Sequence, residues 1–310
     1  MEQNQVFKEE FLNLDAKLIS DEIKKNGFFS FDNALRNDFL NSITNDVEKN
    51  GLSLNNNDVA GVYLNSGKQY VLTHMFAISK SFFNCCTNKK VFDISSDYLG
   101  DQIRLKSFRY YENFAGGNMP WHTDNRINLP DTGKGKNSEK EGLIFLVYIS
   151  DVNDGEFQYV RGSHKWSIKN KYNDYAAKKI ENNFKNDIVG FKKPKGSILI
   201  YSTFGVHRAK PFSDKNFIRK NILFRVDADT EYAEPVIIRT EYLDNLDDRL
   251  KLYLGFGKKA GQETWPKTSL DTMPLNKKVF TAISRWFIAR LLDKLPGFFR
   301  KKIKRFFNLH

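Results

Sequence analysis

Cysteine is almost absent: Cys85 and Cys86 are the only two, and they are adjacent. Neighbouring cysteines cannot staple distant parts of a fold, so a disulfide framework is excluded and a reducing, cytoplasmic setting is expected. Long apolar runs are missing too. No window approaches the ~20 uninterrupted apolar residues of a spanning helix. The opening Met1-Glu-Gln-Asn has neither the basic nor the apolar region of a secretory leader. Glycine (19) and proline (8) are too few in 310 residues for a collagen-like or low-complexity chain, and no internal repeat is found. With 40% hydrophobic residues the chain can bury a substantial core, in one large domain or two ordinary ones.

Acidic residues are scarce in one place only. From Asn276 to His310 there are ten Lys/Arg (277, 278, 285, 290, 294, 300, 301, 302, 304 and 305) against Asp293 alone. That stretch supplies most of the net charge of +12, and the body before it is close to neutral.

The first hundred residues read as helical, with one short apolar strand. Leu35, Phe39, Leu40, Ile43 and Val47 recur at helical spacing, with Gly51 as a stop. The Asn55–Asp58 stretch is a loop. Leu72, Met75, Phe76, Phe82 and Phe83 form a second amphipathic pattern, and Thr87 is read as the cap of a third segment ending at Gly100. Beyond Gly100 the runs Ile103–Tyr111, Leu143–Ile149, Glu156–Val160, Ser197–Tyr201 and Ile222–Val226 are β-rich, with a turn signal at Asn153-Asp154-Gly155. Many short strands in succession favour a sandwich or barrel over a doubly wound sheet. Residues 244–254 read as helical again.

Within the β-rich half, Trp121-His122-Thr123-Asp124 sets an imidazole and a carboxylate two residues apart, on one face of an extended segment. His207 follows the 197–201 strand. Two imidazoles and one carboxylate with open positions form the facial triad of non-haem Fe(II) oxygenases. Zinc also accepts these donors, so spacing alone leaves the metal open. Arg219, twelve residues after His207, offers a guanidinium fork for a carboxylate.

The wider set of motifs is specific. Tyr110-Tyr111, Met119-Pro-Trp-His-Thr-Asp124, Asp151 to Gly155, Gly162-Ser-His-Lys165, Gly196 to Tyr201, His207 and Arg219 occur in this order. Together, over about residues 24–227, they resemble the phytanoyl-CoA dioxygenase-like family of Fe(II)/2-oxoglutarate oxygenases. The resemblance implies a mainly β fold with flanking helices, built on a double-stranded β-helix (a cupin-like jelly roll). It implies His122, Asp124 and His207 as iron ligands, and Arg219 as the partner of the distal carboxylate of 2-oxoglutarate. It turns the Ser107–Arg109–Tyr111 face of its strand toward cosubstrate and substrate. Fe(II), 2-oxoglutarate and O2 are the implied cofactors, and hydroxylation with release of succinate and CO2 the implied reaction. Asp124 stands where related halogenases keep a small residue, which argues against halogenation. Two positions depart from the family: Arg161 replaces its usual proline before Gly-Ser-His, and Ala209 stands where some members carry a hydroxyl. His164 is read as a structural loop residue, and Trp121 and Trp166 as walls of the barrel.

These patterns assign residues 1–270 to an oxygenase domain, with a helical part at 1–100 and a β-helix core at 101–240, and residues 276–310 to a basic amphipathic tail. In the tail Phe280, Ile283, Phe287, Leu291 and Leu295 fall near helical spacing. Pro296-Gly297 breaks the run, and Phe299, Ile303, Phe306 and Phe307 follow among cations. That composition suits a helix lying on an anionic membrane surface. Packing on the protein itself and nucleic-acid binding are the competing readings, the last the least favoured. A tail-held enzyme at the cytosolic face of a membrane would take a small-molecule or lipid-linked substrate. A non-catalytic cupin-like binder and a nucleic-acid-modifying oxygenase are the alternatives.

Overall fold

The computed structural model describes residues 6–51, 62–65, 69–72, 75–114, 119–124, 141–166, 177–228, 232–233, 238–244 and 246–260, and singly 284, 287, 291 and 299. The 55–58 loop, His74, His310 and most of the basic tail lie outside them. The chain forms two compact units, Met1–Pro266 and Lys267–His310.

In the first unit the elements run α1 (Glu9–Leu12), α2 (Ala16–Asn26), β1 (Phe28–Phe31), α3 (Asn37–Asp46), β2 (Val62–Asn65), β3 (Gln69–Leu72), α4 (Met75–Ile78), α5 (Lys80–Cys86), α6 (Lys89–Leu99), β4 (Arg104–Asn113), β5 (Met119–His122) and β6 (Gly142–Tyr148). They continue with β7 (Phe157–Val160), α7 (Ala177–Asn183), β8 (Ile188–Phe191), β9 (Ile198–Ser202), β10 (His207–Ala209), β11 (Arg219–Asp227), β12 (Tyr232–Ala233), α8 (Asp248–Tyr253) and β13 (Lys259–Ala260). A seven-stranded sheet has the order β1-β9-β6-β11-β4-β3-β2, and a four-stranded sheet the order β5-β10-β7-β8. All pairs within both are antiparallel. Two antiparallel sheets with flanking helices form the expected jelly roll.

β6, at the middle of the large sheet, is buried on both faces, which explains why it reads Gly-Leu-Ile-Phe-Leu-Val-Tyr without a charged residue. Leu143, Phe145 and Val147 join Ile198, Ile200, Ile222, Phe224 and Val226 in a core shared with the helices. Ile19 and Ile23 of α2, Phe39 and Ile43 of α3, and Phe82 and Phe83 of α5 supply the helical side. The alternate residues Ile144, Leu146, Tyr148, Leu199 and Tyr201 face the other way and pack on Phe157, Tyr159 and Phe191 of the small sheet. That second, aromatic cluster is the barrel interior.

Local chemistry sets the helix ends. Asp15 accepts from the Lys17 N–H at 2.8 Å to start α2, and Gly27 ends it with φ +93°. At the start of α6 the cap is Asn88, accepting from Lys90 N at 2.9 Å. Thr87, read from sequence as that cap, instead closes α5, its hydroxyl donating to the Phe83 carbonyl at 2.8 Å. A second correction concerns residues 1–100, read as helical with one strand. They place three strands in the large sheet, because Gln69–Leu72 pairs with β4 and β2 rather than continuing into the helix that opens at Met75.

Candidate metal centre

Both candidate histidines lie on the small sheet. His122 closes β5, His207 opens β10, and the register sets them directly opposite one another, with Tyr159 of β7 on the far side of His207. Their rings stand 4.3 Å apart. Asp124 follows just past the end of β5, its N–H tied to the Thr203 carbonyl at 3.1 Å. One ligand atom from each of the three residues lies within 4.8 Å of the others, the only such grouping of His, Cys, Asp and Glu among the described residues.

Second partners fix the imidazole tautomers. His122 Nδ1 lies 2.7 Å from the Pro120 carbonyl and His207 Nδ1 lies 3.0 Å from the Gly205 carbonyl. A carbonyl can only accept, so each Nδ1 carries a proton and Nε2 is the nitrogen left to face the site. Both Nε2 atoms lie toward Asp124: His207 Nε2 is 3.2 Å from Oδ2 and His122 Nε2 is 3.9 Å from Oδ1. These three donor atoms are of the kind a divalent ion takes up together, the imidazoles giving their Nε2 lone pairs when unprotonated. Burial alone would raise the Asp124 carboxyl, but attraction and hydrogen bonding to His207, with His122 and Arg225 adding, hold it well below the usual carboxylate range. It is ionised and ready to ligate. His207 is walled by Phe157, Tyr201 and Tyr159, with ring centroids at 5.2, 5.0 and 6.3 Å.

Arg219 stands apart from the triad, at the start of β11. Strand alternation turns it, with Asn221, Leu223 and Arg225, toward the barrel interior, since Ile222, Phe224 and Val226 occupy the helical core. It is buried; one Nη donates to the Gly155 carbonyl and Nε has no hydrogen-bond partner. Burial pulls its guanidinium below the ordinary value, although Tyr148 and Glu156 nearby favour the charge. Gly155 lies in the turn just before β7, whose Tyr159 is the register partner of His207. A buried guanidinium with an open Nε edge fits an incoming carboxylate.

Ser107 and Arg109 lie on β4, in register with Arg225 and Leu223 respectively. Ser107 is buried; Arg109 is half-buried and donates to the Tyr111 hydroxyl at 3.3 Å. Both belong to the interior wall and neither is part of the metal-competent group. His164 is likewise outside it: its Nε2 is 3.1 Å from the Lys24 carbonyl, tying a turn to α2. Trp121 and Trp166, read as barrel walls, pack on the outer face of the small sheet with Val160, Ile180 and Val206. The alternation that points His122 inward necessarily sends Trp121 out. Phe157, Tyr159, Tyr201 and Arg225 were not singled out from sequence. The period-2 pattern of Phe157 and Tyr159 was the available signal.

No family model and no curated protein matches the chain. Solved structures do. SnoN, an epimerase in complex with Fe3+, alpha-ketoglutarate and nogalamycin RO, superposes with a TM-score of 0.55 at 14% identity, over 82% of this chain and 96% of that one. SnoK, a non-heme alpha-ketoglutarate-dependent carbocyclase from nogalamycin biosynthesis, gives 0.54 at 13% identity, over 76% and 92%. HygX from Streptomyces hygroscopicus, with nickel, 2-oxoglutarate and hygromycin B bound, gives 0.51 at 16% identity, over 68% and 86%. At these identities the likeness establishes the fold: this chain is built on the same jelly roll as several non-heme 2-oxoglutarate enzymes.

Proposed function

We propose that the protein is an Fe(II)- and 2-oxoglutarate-dependent dioxygenase of the phytanoyl-CoA dioxygenase-like type, hydroxylating a C–H bond of its substrate. The convergence of two tautomer-fixed imidazoles and an ionised carboxylate on one point carries this reading. When bound, the metal and cosubstrate supply O2 activation: 2-oxoglutarate and O2 become succinate and CO2, and one oxygen atom goes to the C–H bond. The chain's own contribution is to hold and orient. His122, Asp124 and His207 would hold the ion. Arg219 receives the distal carboxylate on its Nε edge. Phe157, Tyr201 and Leu199 keep water from the space between.

A second outcome is favoured by the neighbours that are named as an epimerase and a carbocyclase. On this fold, attack at a C–H bond is compatible with inversion or ring closure instead of oxygen insertion. Product mass separates them, because hydroxylation adds one oxygen atom and epimerisation adds nothing.

The decisive experiment is anaerobic addition of Fe(II) and 2-oxoglutarate to the full-length protein, watched for a metal-to-ligand charge-transfer band in the visible. The band is expected, and its absence at saturating concentrations overturns the reading in favour of a non-catalytic binder.

We also propose that residues 276–310 dock the enzyme on an anionic bilayer at the cytosolic face of a membrane and so favour a lipid-linked substrate. Phe287, Leu291 and Phe299 are 59%, 53% and 58% exposed, apolar side chains set among ten cations. Each cation near such a surface contributes about 1 kcal/mol. Among the described residues no helix is long and apolar enough to cross a membrane. Full-length protein is expected to sediment with phosphatidylglycerol-containing vesicles in a salt-sensitive manner. Phe287→Ser/Leu291→Ser and truncation before Asn276 should abolish that while sparing the charge-transfer band. Aggregation of the truncated chain, with no vesicle binding by the full-length one, would instead assign the stripe to packing within the protein or between copies.

A further inference from the structure

Arg219 is the first residue of β11, and the loop before it, residues 210–218, exposes most of its side chains. A buried guanidinium at such a boundary needs a wall from outside the sheet, and the loop turns one inward. The half-buried Phe212 ring lies over the guanidinium, with Arg219 Cζ 5.8 Å from the ring centroid, within cation–π reach. The same ring rests on Gly155: a Cβ built there would meet Phe212 Cδ1 and Cε1 at 2.5 Å, so the missing side chain is the ring's seat. The Gly155 carbonyl in turn accepts from an Arg219 Nη. One glycine therefore seats the ring and takes the guanidinium.

The turn that carries Gly155 also grips the loop on both sides of Phe212. Before it, the Lys210 N–H donates to the Glu156 carbonyl at 3.0 Å. After it, Asp154 Oδ2 accepts from the Ser213 N–H at 2.6 Å and the Asp214 N–H at 2.7 Å. Asp214 closes the rest, its Oδ1 accepting from Asn216 N at 2.8 Å and its carbonyl from Phe217 N at 3.3 Å. That fold brings the Phe217 ring to 6.0 Å from that of Phe212. The ring over Arg219 is thus fixed by contacts at every neighbouring position.

We infer that Phe212, latched by Asp154, is a positioning residue for Arg219: its ring covers the guanidinium and holds the Nε edge ready for the cosubstrate's distal carboxylate. The inference rests on the reading of Arg219 given above. An arginine held in one rotamer before binding spares the ligand the cost of ordering it, and that cost for a long side chain corresponds to about 2- to 10-fold in affinity.

The test uses full-length protein with saturating Fe(II) under anaerobic conditions, titrated through the charge-transfer band with 2-oxoglutarate and, separately, with pyruvate, a 2-oxo acid that has no distal carboxylate. Phe212→Leu keeps an apolar side chain but loses the ring face, and Asp154→Ala loses both amide bonds. Each is expected to weaken 2-oxoglutarate about 2- to 10-fold and to leave pyruvate unchanged, so the ratio of the two affinities falls. Asp154→Asn keeps an acceptor oxygen and should stay near the parent. If Asp154→Ala does not fold, Phe212→Leu decides alone. A folded Phe212→Leu protein with the parent's ratio overturns the inference, as does one that weakens both acids equally, which is the mark of a general structural role. A parent protein that binds 2-oxoglutarate no better than pyruvate overturns the assignment of Arg219 and the inference with it. A parent protein that gives no band with either acid overturns the oxygenase reading itself.

Discussion

Gly205→Ala adds one methyl group outside the triad, yet it should disable the centre. An added Cβ would stand 1.6 Å from the Tyr159 hydroxyl oxygen and 2.0 Å from its Cζ. Restoring an ordinary 3.4 Å contact requires a displacement of about 1.8 Å between the two. Tyr159 has no way to retreat: it is fully buried, and its hydroxyl also fills the space where Gly27 lacks a side chain, 2.5 Å from a Cβ placed there. If the backbone at Gly205 moves instead, it takes with it the carbonyl that holds His207 Nδ1. Either route reaches His207, which Tyr159 faces in register with rings 7° from parallel. Overpacking should lower stability by about 1–3 kcal/mol. Loss of the tautomer-fixing bond should lower metal affinity about 10- to 100-fold. Urea denaturation and Co(II) titration measure the two separately. Tyr159→Phe should not rescue the variant, since Cζ remains in the way, whereas Tyr159→Leu should restore part of the metal affinity. Gly190→Ala, whose added Cβ meets nothing closer than 3.4 Å, is the control and should be nearly neutral. If Gly205→Ala keeps both the denaturation midpoint and the metal affinity of the parent, the rigid support ascribed to Tyr159 and Gly205 is wrong.

Replacing His122 or His207 with Ala should abolish stable Fe(II) binding and substrate-dependent succinate release, because two ligands on one face hold the ion too loosely; full metal content and activity in either mutant would refute the triad. Arg219→Lys should retain a charge but lose the paired donors of the Nε edge, weakening 2-oxoglutarate by about 1.5–3 kcal/mol, or about 10- to 150-fold, with Fe(II) affinity little changed. An unchanged KM for 2-oxoglutarate would move the role to another residue, with Arg109 the first to examine.

The strands that could be read from sequence are those carrying a long apolar or alternating pattern, such as β6 and β9. The two that hold the histidines could not be read that way. β5 is Met-Pro-Trp-His and β10 is His-Arg-Ala, each too short and too polar to show a period. They are strands because tertiary pairing makes them so. The His-x-Asp spacing was still legible, since it needs only an extended backbone. Arg225 was not, because an arginine at an alternate strand position normally marks the solvent face. Only the second sheet, packed over it, makes that face an interior. Leu72 misled for a related reason: its apolar side chain suits the end of a strand as well as the helix that follows.

The placement of the two histidines has a mechanical consequence. Among the described residues β5 is an edge strand of four residues, carrying a proline that cannot donate to the ladder, and only β10 pairs with it. An ion held by His122, Asp124 and His207 would therefore act as a rivet across the β5–β10 seam, joining segments some eighty residues apart in the chain. A ligand present at a hundred times its dissociation constant adds about 2.7 kcal/mol to the stability of the state that binds it. Here that gain is concentrated in the β5–β10 seam. On the metal-site reading proposed above, a chelator would loosen the β5–β10 pairing first, before the rest of the sheet.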